Sequence, residues 1–376
     1  MRALDLLSGD ARAFLAEVWA SRAHIHKADP AAVVDLLSLD DVDQLLTSTA
    51  LRTPSLRIAQ NGSVLPSSSY TRSATIAGSP LTGLVDARKV IDLFDGGATM
   101  VLQGLHRSWA PLTELIRTLE AELGHPCQAN AYLTPPGSQG FALHSDSHDV
   151  FVFQTYGAKQ WEVHDAGEQL DVLMEPGTCM YLPTGTPHAA RTQQTASLHV
   201  TVGINQSTWR ELLQRTVTSL LADPSYDDRL PAGYPNEPTR LGAELPGRLR
   251  SLASALDDLD GDREAADQAR RFLTSRTPVL GGGIVDRLAL SALDDDTALV
   301  RRPGSFCVVS PVSDGRVRLL LGDRELVMPG WLSPALEHVR DQTQFRPRDL
   351  EPWLDSASRL VLTRRLVREG LLQVSA

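Results

Sequence analysis

Cysteines, lysines, aromatic residues and long apolar runs are all scarce in this chain of 376 residues. Its three cysteines, Cys127, Cys179 and Cys307, are odd in number and far apart, which excludes a disulfide framework and a paired-cysteine zinc site. A reducing, cytoplasmic compartment is therefore expected. The N-terminal stretch carries acids among its apolar residues, unlike a signal peptide. No run approaches the roughly 18 apolar residues that span a bilayer, so the secreted, fibrous, membrane and disordered classes are excluded.

Basic residues are also fewer than acidic ones. Lysine and arginine total 36 against 46 aspartates and glutamates, which gives a formal net charge of -10. An acidic surface repels phosphate backbones and attracts basic partners. Direct nucleic-acid binding is therefore not expected. The same negative charge is also common in cytoplasmic proteins that need it only for solubility.

Helical and strand-like patterns alternate along the first third of the chain. Residues 11–50 have apolar side chains at helical spacing, interrupted at Pro30. Residues 55–105 alternate apolar and polar side chains in short pieces between turns, which predicts strands and loops. Residues 108–123 predict an amphipathic helix that ends at Gly124.

From residue 128 to 206 the chain consists of short β-type runs separated by glycine and proline. This texture predicts an antiparallel barrel or sandwich. After Trp209 the pattern is helical again, with a proline-rich boundary at 223–247. Leucines at 249, 252, 256 and 259 then form a stripe that needs a partner, either within the chain or in another copy. The C-terminal part predicts helices at 333–341, 347–356 and 357–369 and three strands, an α+β module that resembles a winged helix.

Two short motifs carry the chemistry. His144 and Asp146 precede the strand DVFVFQTYG, two residues apart, and so project toward one point. The segment GTCMYLPTGTPH, residues 177–188, has a glycine before its strand and a Pro-Thr-Gly exit that directs His188 inward. Two histidines and one carboxylate make a facial triad that leaves three positions of an octahedral metal open, which suits Fe(II). A structural zinc site would be closed and rich in cysteine or histidine.

Other polar residues of the same region have an ordinary explanation beside a functional one. Lys159 follows a turn and is either a solvated turn residue or, given the triad, an ammonium that holds the distal carboxylate of a dicarboxylic co-substrate. His199, on the strand SLHVTVG, packs in the core or makes a polar contact near the metal. His148 is interpreted as a rim residue, and His125 and His164 as surface residues.

Together these segments resemble the JmjC-type cupin oxygenases, and within them the ribosomal oxygenases. The resemblance lies in NAYLTPPGSQGFALHSD (130–146), GAKQW (157–161), the 177–188 motif and SLHVTVGINQSTWRELL (197–213). It implies a double-stranded β-helix in which His144, Asp146 and His188 bind Fe(II), with 2-oxoglutarate and O2 as co-substrates. It further implies that Lys159 pairs with the C5 carboxylate of 2-oxoglutarate, that Tyr132 and Asn130 line the same pocket, and that PPGSQG forms part of the substrate-facing rim.

The resemblance also implies an α+β architecture in three parts. These are a JmjC/cupin catalytic domain with an N-terminal extension (1–208), a helical region that forms a homodimer (209–290) and a winged-helix-like domain (291–376). The implied reaction is hydroxylation of a protein side chain, arginine or histidine, in a basic ribosomal protein. Ser147 and Gly203 depart from the family pattern, an acid and a serine respectively, where substrate or co-substrate is contacted.

Three alternatives remain open from the sequence. The first is a 2-oxoglutarate-dependent hydroxylase of a peptide or small metabolite. The second is a metal-binding cupin scaffold without catalysis, which the retained triad and Lys159 disfavour. The third is a nucleic-acid-binding regulator based on the arginines of RLVLTRRLVR (359–368), which the leucines needed for packing and the surrounding acids disfavour.

Overall fold

The computed structural model describes residues 3–138, 142–312 and 314–375, without the side chains of Thr192 and Gln193. Its helices are α1 (Ala3–Ser8), α2 (Ala11–Glu17), α3 (Pro30–Val34), α4 (Leu39–Ser48), α5 (Ala87–Asp95), α6 (Ala110–Leu123), α7 (Trp209–Leu220), α8 (Pro238–Asp257), α9 (Gly261–Leu273), α10 (Gly283–Ala289), α11 (Ser333–Asp341) and α12 (Ser356–Arg368). Among the described residues, no helix combines the length and the apolar character needed to cross a membrane.

The strands form one large antiparallel sheet and three small ones. They are β1 (His24–Lys27), β2 (Leu56–Gln60), β3 (Ser63–Val64), β4 (Thr71–Ile76), β5 (Ser79–Val85), β6 (Thr99–Leu102), β7 (Cys127–Thr134), β8 (Asp149–Asp165), β9 (Glu168–Met174), β10 (Thr178–Leu182), β11 (His188–Ile204), β12 (Leu299–Arg301), β13 (Val308–Val312), β14 (Arg316–Leu321), β15 (Arg324–Pro329), β16 (Gln344–Phe345) and β17 (Leu372–Val374). The large sheet has the order β1-β10-β8-β11-β7-β6-β2-β3, with β9 paired to β8.

Strands β8 and β11, of 17 residues each, are long and pair with each other along most of their length. The start of β8 pairs with the end of β11 (Val150 with Gly203), and the end of β8 pairs with the start of β11 (Val163 with His188). Between them the pairing register shifts opposite Gly157, whose φ is +64°. A β-bulge bends a long strand and redirects its side chains. The bend therefore allows one pair of strands to serve two walls of the barrel.

Replacing Gly157 by alanine should disrupt this bend. A Cβ at Gly157 would lie 1.7 Å from the carbonyl oxygen of Ala196. The left-handed backbone costs about 1 to 2 kcal/mol for alanine, and the overlap adds about 1 to 3 kcal/mol. Gly167→Ala is the matched control, because Gly167 also has positive φ (+86°) but open space around its Cβ. Urea denaturation should show a clearly larger loss of unfolding free energy for Gly157→Ala, and equal losses would contradict the steric explanation.

Two main cores and one smaller apolar cluster hold the chain together, and the smaller one lies around Val152 and Trp161 of the large sheet. The first packs α1, α2 and α6 against the large sheet, with Phe14 in ring contact with Phe151 and Tyr181 at centroid distances of 5.3 and 4.9 Å. The second lies in the C-terminal part, where α11 and α12 pack on Leu299 and Leu319. Between them, no residue of α8 or α9 is buried. The middle of the chain therefore has little apolar core of its own.

A buried ionic cluster links α6 to the segment that follows α9. Glu120 of α6 is 1% exposed, and its carboxylate pairs with Arg117 and accepts hydrogen bonds from the backbone N–H of Cys127 (2.9 Å) and from Arg276 (3.3 Å). Burial raises the pKa of Glu120, and these donors oppose that shift. Arg276 follows α9, so the cluster joins the first core to the chain beyond the middle helices.

Most predicted elements form, with three differences. The helix at 108–123 is α6, ended by Gly124 at φ +71°, and the β-runs between 128 and 206 are β7 to β11. The helical prediction for 11–50 is wrong at β1, which pairs with β10. The prediction of strands and loops through 55–105 is wrong at α5. The helix expected at 347–356 is only a short 3-10 turn at Pro347–Leu350, because Pro352 has no N–H to continue the hydrogen bonding that a longer helix needs.

Candidate metal and co-substrate site

His144, Asp146 and His188 meet at one end of the barrel. The ligand atoms that they offer all lie within 4.8 Å of one another, and His188 Nε2 is 3.7 Å from an Asp146 carboxylate oxygen. Across residues 3–138, 142–312 and 314–375, this is the one such group of three potential metal ligands. The structure thus brings together the three residues that the sequence motifs indicate.

The backbone fixes how the two histidines approach each other. Their main chains pair through two hydrogen bonds, of 3.0 Å from His144 N and 2.7 Å from His188 N. His144 Nδ1 lies 2.8 Å from the carbonyl of Ala142, and His188 Nδ1 lies 2.9 Å from that of Thr186. A carbonyl can only accept, so both Nδ1 atoms carry the proton and both Nε2 atoms keep a lone pair for a metal.

Asp149 holds the turn that carries His188, a role that the sequence motifs do not reveal. Its buried carboxylate accepts hydrogen bonds from the N–H and the hydroxyl of Thr184, at 2.7 and 2.8 Å, and from the hydroxyl of Tyr181. Gly185, at φ +82°, then donates its N–H to the carbonyl of Asp146 at 3.0 Å. The turn thereby fastens the two ligand-bearing segments together, in agreement with the glycine of the motif.

The ligands open into a cavity of about 280 Å³. Among the described residues it is lined by Arg57, Tyr132, His144, Asp146, Val150, Val152, Lys159, Trp161, His188, Ala190, His199 and Thr201. Polar groups lie at several depths of an otherwise apolar wall. This composition is typical of a site for a small, charged molecule that must be oriented.

Lys159 lies inside this cavity and is not a solvated turn residue. It is 3% exposed, and its Nζ donates to the hydroxyl of Thr134 at 3.3 Å. No described carboxylate lies within ion-pair distance of that nitrogen, and burial lowers the pKa of Lys159 to about 8. An ammonium in such surroundings is stabilised by an anion, so the residue is suited to binding one.

Tyr132 and His199 form a stacked pair on the cavity wall. Their rings are 5.0 Å apart between centroids and nearly parallel, at 3°. His199 is 3% exposed and burial holds its pKa well below the usual value, so the imidazole is neutral. Burial likewise raises the pKa of Tyr132. Both residues are therefore uncharged at neutral pH and shape the cavity without adding charge to it.

Asn130 is placed differently from the expectation. It shares a strand face with Tyr132, but its side-chain oxygen accepts a hydrogen bond from Gly104 N at 2.9 Å, and it is not among the described residues that line the cavity. The prediction for PPGSQG falls partly on Gln139 and Gly140, which lie outside the described residues. His125 is not a simple surface residue, because its ring stacks on Trp19 at 5.4 Å.

His148 packs over Gly203, one of the two departures from the family pattern. A Cβ at Gly203 would lie 2.8 Å from His148 Nε2, so the small residue makes room for the imidazole. His148 Nδ1 is buried without a hydrogen-bond partner among the described atoms. His148 is not among the described residues that line the cavity, so its interpretation as a rim residue stays a prediction.

Sequence comparison identifies this part of the chain. Residues 106–170 and 164–212 match the JmjC domain family. The matched region, residues 106–212, is thus similar to a JmjC domain. This domain contains all three candidate ligands, Lys159, Tyr132 and His199, whereas Arg57 of the cavity wall lies before it. The resemblance seen in the sequence motifs is thus confirmed over this stretch.

The curated relatives that match this chain are much longer than the matched region. The chain is 30% identical over 230 residues to ribosomal oxygenase 2 of Bos taurus, covering 52% of this chain and 49% of the relative. It is 35% identical over 160 residues to the bifunctional lysine-specific demethylase and histidyl-hydroxylase NO66 of Branchiostoma floridae, covering 40% and 26%. The chain thus spans half or less of the length of these relatives.

A solved structure matches the whole fold around the JmjC domain. The crystal structure of Escherichia coli ribosomal oxygenase YcfD is similar with a TM-score of 0.54 and 18% identity, over 97% of this chain and 98% of that one. Another structure of YcfD is a complex with cobalt and 2-oxoglutarate. The likeness confirms the JmjC cupin fold with mixed helix and sheet, and the winged-helix interpretation of the C-terminal part stays a prediction.

Proposed function

We propose that the protein is an Fe(II)- and 2-oxoglutarate-dependent oxygenase that hydroxylates a side chain of a protein. The observation that carries this proposal is the shared cavity, with a three-ligand cluster at one part and a buried lysine without a carboxylate partner at another. The balanced reaction converts substrate, 2-oxoglutarate and O2 to hydroxylated substrate, succinate and CO2. Relatives named as ribosomal oxygenases support the same reaction class.

The residues fit the implied metal. Two imidazole Nε2 atoms and one carboxylate oxygen, held by the backbone and by hydrogen bonds to both Nδ1 atoms, suit Fe(II) with three open positions. When bound there, Fe(II) with 2-oxoglutarate and O2 supplies the oxidising power that breaks an unactivated C–H bond. His144, Asp146 and His188 would hold the ion, and the turn fastened by Asp149 would keep their spacing.

The rest of the cavity would orient the co-substrate. Lys159 would pair with the distal carboxylate of 2-oxoglutarate, and the Thr134 hydroxyl holds the ammonium in place for that contact. Tyr132, His199 and Trp161 would form the wall beside the bound molecule, with Trp161 5.5 Å from His199 between ring centroids. A walled site keeps bulk water from the reacting atoms and fixes which C–H bond is within reach.

A basic ribosomal protein is the proposed substrate, modified at an arginine or histidine. The net charge of -10 would speed encounter with such a partner at low salt. The names of the relatives favour ribosomal proteins over a peptide or small metabolite. The three cysteines are free thiols, which agrees with the reducing, cytoplasmic setting in which such an enzyme would meet newly made ribosomal proteins.

We further propose a homodimer formed by residues 209–290, between the catalytic domain at 1–208 and a winged-helix-like domain at 291–376. The helices α7 to α10 of this region expose several large apolar side chains, among them Trp209 (78% exposed), Ile284 (80%) and Leu288 (78%). Leu249 and Leu256 of the predicted leucine stripe are exposed as well. Large apolar side chains exposed in this number are costly in water unless a partner covers them, and a second copy of the same region offers matching apolar groups.

The reaction class is tested by product formation. The protein, loaded anaerobically with Fe(II) and 2-oxoglutarate, is exposed to O2 with and without a fraction of ribosomal proteins from a cell extract. We expect succinate to rise with that fraction and one protein to gain the mass of an oxygen atom. Succinate without such a gain would transfer the proposal to a peptide or metabolite substrate. No metal binding and no succinate would favour the non-catalytic scaffold, and sedimentation velocity on the same preparation tests the dimer.

A further inference from the structure

Arg57 is a charged residue of the cavity that the sequence motifs did not include. It lies on β2, where it pairs with Val101 of β6, and Val101 in turn pairs with Tyr132 of β7. Directly paired residues of an antiparallel sheet point to the same face. Arg57 therefore reaches into the cavity at the level of Tyr132, and its positive charge opposes the rise that burial causes in the pKa of Tyr132.

The charges that line the cavity do not balance. Arg57 and Lys159 are its two cationic side chains, whereas Asp146 is the one carboxylate among the described lining residues and belongs to the ligand cluster. No described carboxylate lies within ion-pair distance of either cation. Arg57 Nε is also buried without a hydrogen-bond partner among the described atoms. Lys159 is buried and Arg57 is half-buried, and positive charge withdrawn from water in this way is stabilised by a ligand that supplies the counter-ion.

We propose that Arg57 is a second anion-binding group, which acts together with Lys159 to make the cavity select a dicarboxylic over a monocarboxylic 2-oxo acid. Both cations would act on the distal carboxylate, the group that distinguishes a dicarboxylic from a monocarboxylic acid. A guanidinium has five donors, so Arg57 has donors, the unpartnered Nε among them, for that carboxylate. Tyr132 lies beside Arg57 on the same cavity wall. This inference rests on the proposed function, because it assumes that a 2-oxo acid occupies the cavity.

The test uses the full chain, loaded anaerobically with Mn(II) so that no turnover occurs, and calorimetric titration with 2-oxoglutarate or 2-oxopentanoate. The two acids have the same chain length, but the second lacks the distal carboxylate. Arg57→Met should weaken 2-oxoglutarate binding about 10- to 100-fold, as expected for the loss of hydrogen bonds to a charged group. It should change 2-oxopentanoate binding less than about 3-fold, and Arg57→Lys should recover most of the lost affinity.

Arg88→Met is the matched control, because Arg88 is an exposed arginine on α5 and its loss removes the same charge from the surface. Its affinities should equal those of the unmodified protein. Equal losses for both acids in Arg57→Met, or no recovery in Arg57→Lys with normal Mn(II) binding, would overturn the role of Arg57. If the unmodified protein binds neither acid, the proposed function itself fails, which is a separate outcome.

Discussion

Substituting His188 by alanine should abolish metal binding and succinate formation together. His188 is buried, its Nδ1 is fixed by the Thr186 carbonyl at 2.9 Å, and its Nε2 faces Asp146. Removing His188 leaves two of the three ligands, and no other described histidine, cysteine or carboxylate belongs to the cluster that could replace it. Loss of groups that merely orient metal ligands costs about 10- to 100-fold in metal affinity, so loss of a ligand should exceed about 100-fold. Anaerobic titration with Mn(II) measures the affinity, and a coupled succinate assay measures turnover.

His164→Ala is the control for this substitution. His164 follows Val163, the strand partner of His188, so its side chain points to the opposite face of β8 from that pair. The side chain is partly exposed and hydrogen-bonds to Glu162 at 2.8 Å. Its loss should leave both the Mn(II) affinity and the succinate yield unchanged. Asp146→Ala should behave like His188→Ala. Full turnover in either ligand variant would rule out the three-ligand cluster as the catalytic metal site.

Lys159→Met should weaken 2-oxoglutarate binding about 30-fold or more. The ammonium is buried and the distal carboxylate would be its partner, and truncating one member of a buried charge pair costs about 2 to 5 kcal/mol. Methionine is close to lysine in length and apolar, so the cavity wall stays filled. The Mn(II) affinity should be unchanged, because Lys159 is not a ligand. An unchanged KM for 2-oxoglutarate would remove Lys159 from the co-substrate site.

The affinity for 2-oxoglutarate should also fall as the pH rises above about 8. Burial lowers the pKa of Lys159 to about 8 from 10.5, so the free protein carries the charged form below that pH and loses it above. The bound dianion favours the charged form and raises the pKa in the complex, and binding above pH 8 must then take up a proton. Among the facing groups, Thr134 does not titrate, and His199 is already neutral because burial holds its pKa well below the usual value.

Titrations with 2-oxoglutarate between pH 7 and 9.5 check this dependence. The dissociation constant should increase up to about tenfold per pH unit above 8. Lys159→Arg keeps its charge throughout the range, so its dissociation constant should stay flat whatever its absolute value. A flat profile in the unmodified protein would mean that Lys159 is not the group whose charge binds the co-substrate.

The parts of the fold that can be predicted from the sequence are those whose signals are local. Gly177 and Gly185 have φ values of +89° and +82°, and glycine at these two turns marks the ends of β10 by residue type alone. The end of α6 at Gly124 is predicted in the same way. The Asp86 carboxylate caps α5 through the N–H groups of Arg88 and Lys89, a signal present in the sequence but hidden among the short strands around it.

Other features depend on partners that are distant in the chain. The short strand β1 forms because it pairs with β10, which follows much later in the chain, so its own sequence contains no sufficient signal. Arg57 and Tyr132 are likewise separated in the chain by several helices and strands. One arginine in a short strand therefore predicts nothing about a cavity. The three metal ligands could be predicted because they lie in two short sequence motifs. The position of Arg57, the second cation of the cavity, could be found only from the pairing of β2, β6 and β7.

The Glu120 cluster affects whether residues 1–208, the proposed catalytic domain, can fold without the rest of the chain. Glu120 and Arg117 lie within α6, but Arg276 reaches them from beyond the middle helices. A chain shortened to 1–208 would lose that guanidinium and open the buried carboxylate to water on one side. The proposed catalytic domain, residues 1–208, is in this sense not independent of the rest, since Arg276, which follows it in the chain, helps to cover its buried carboxylate.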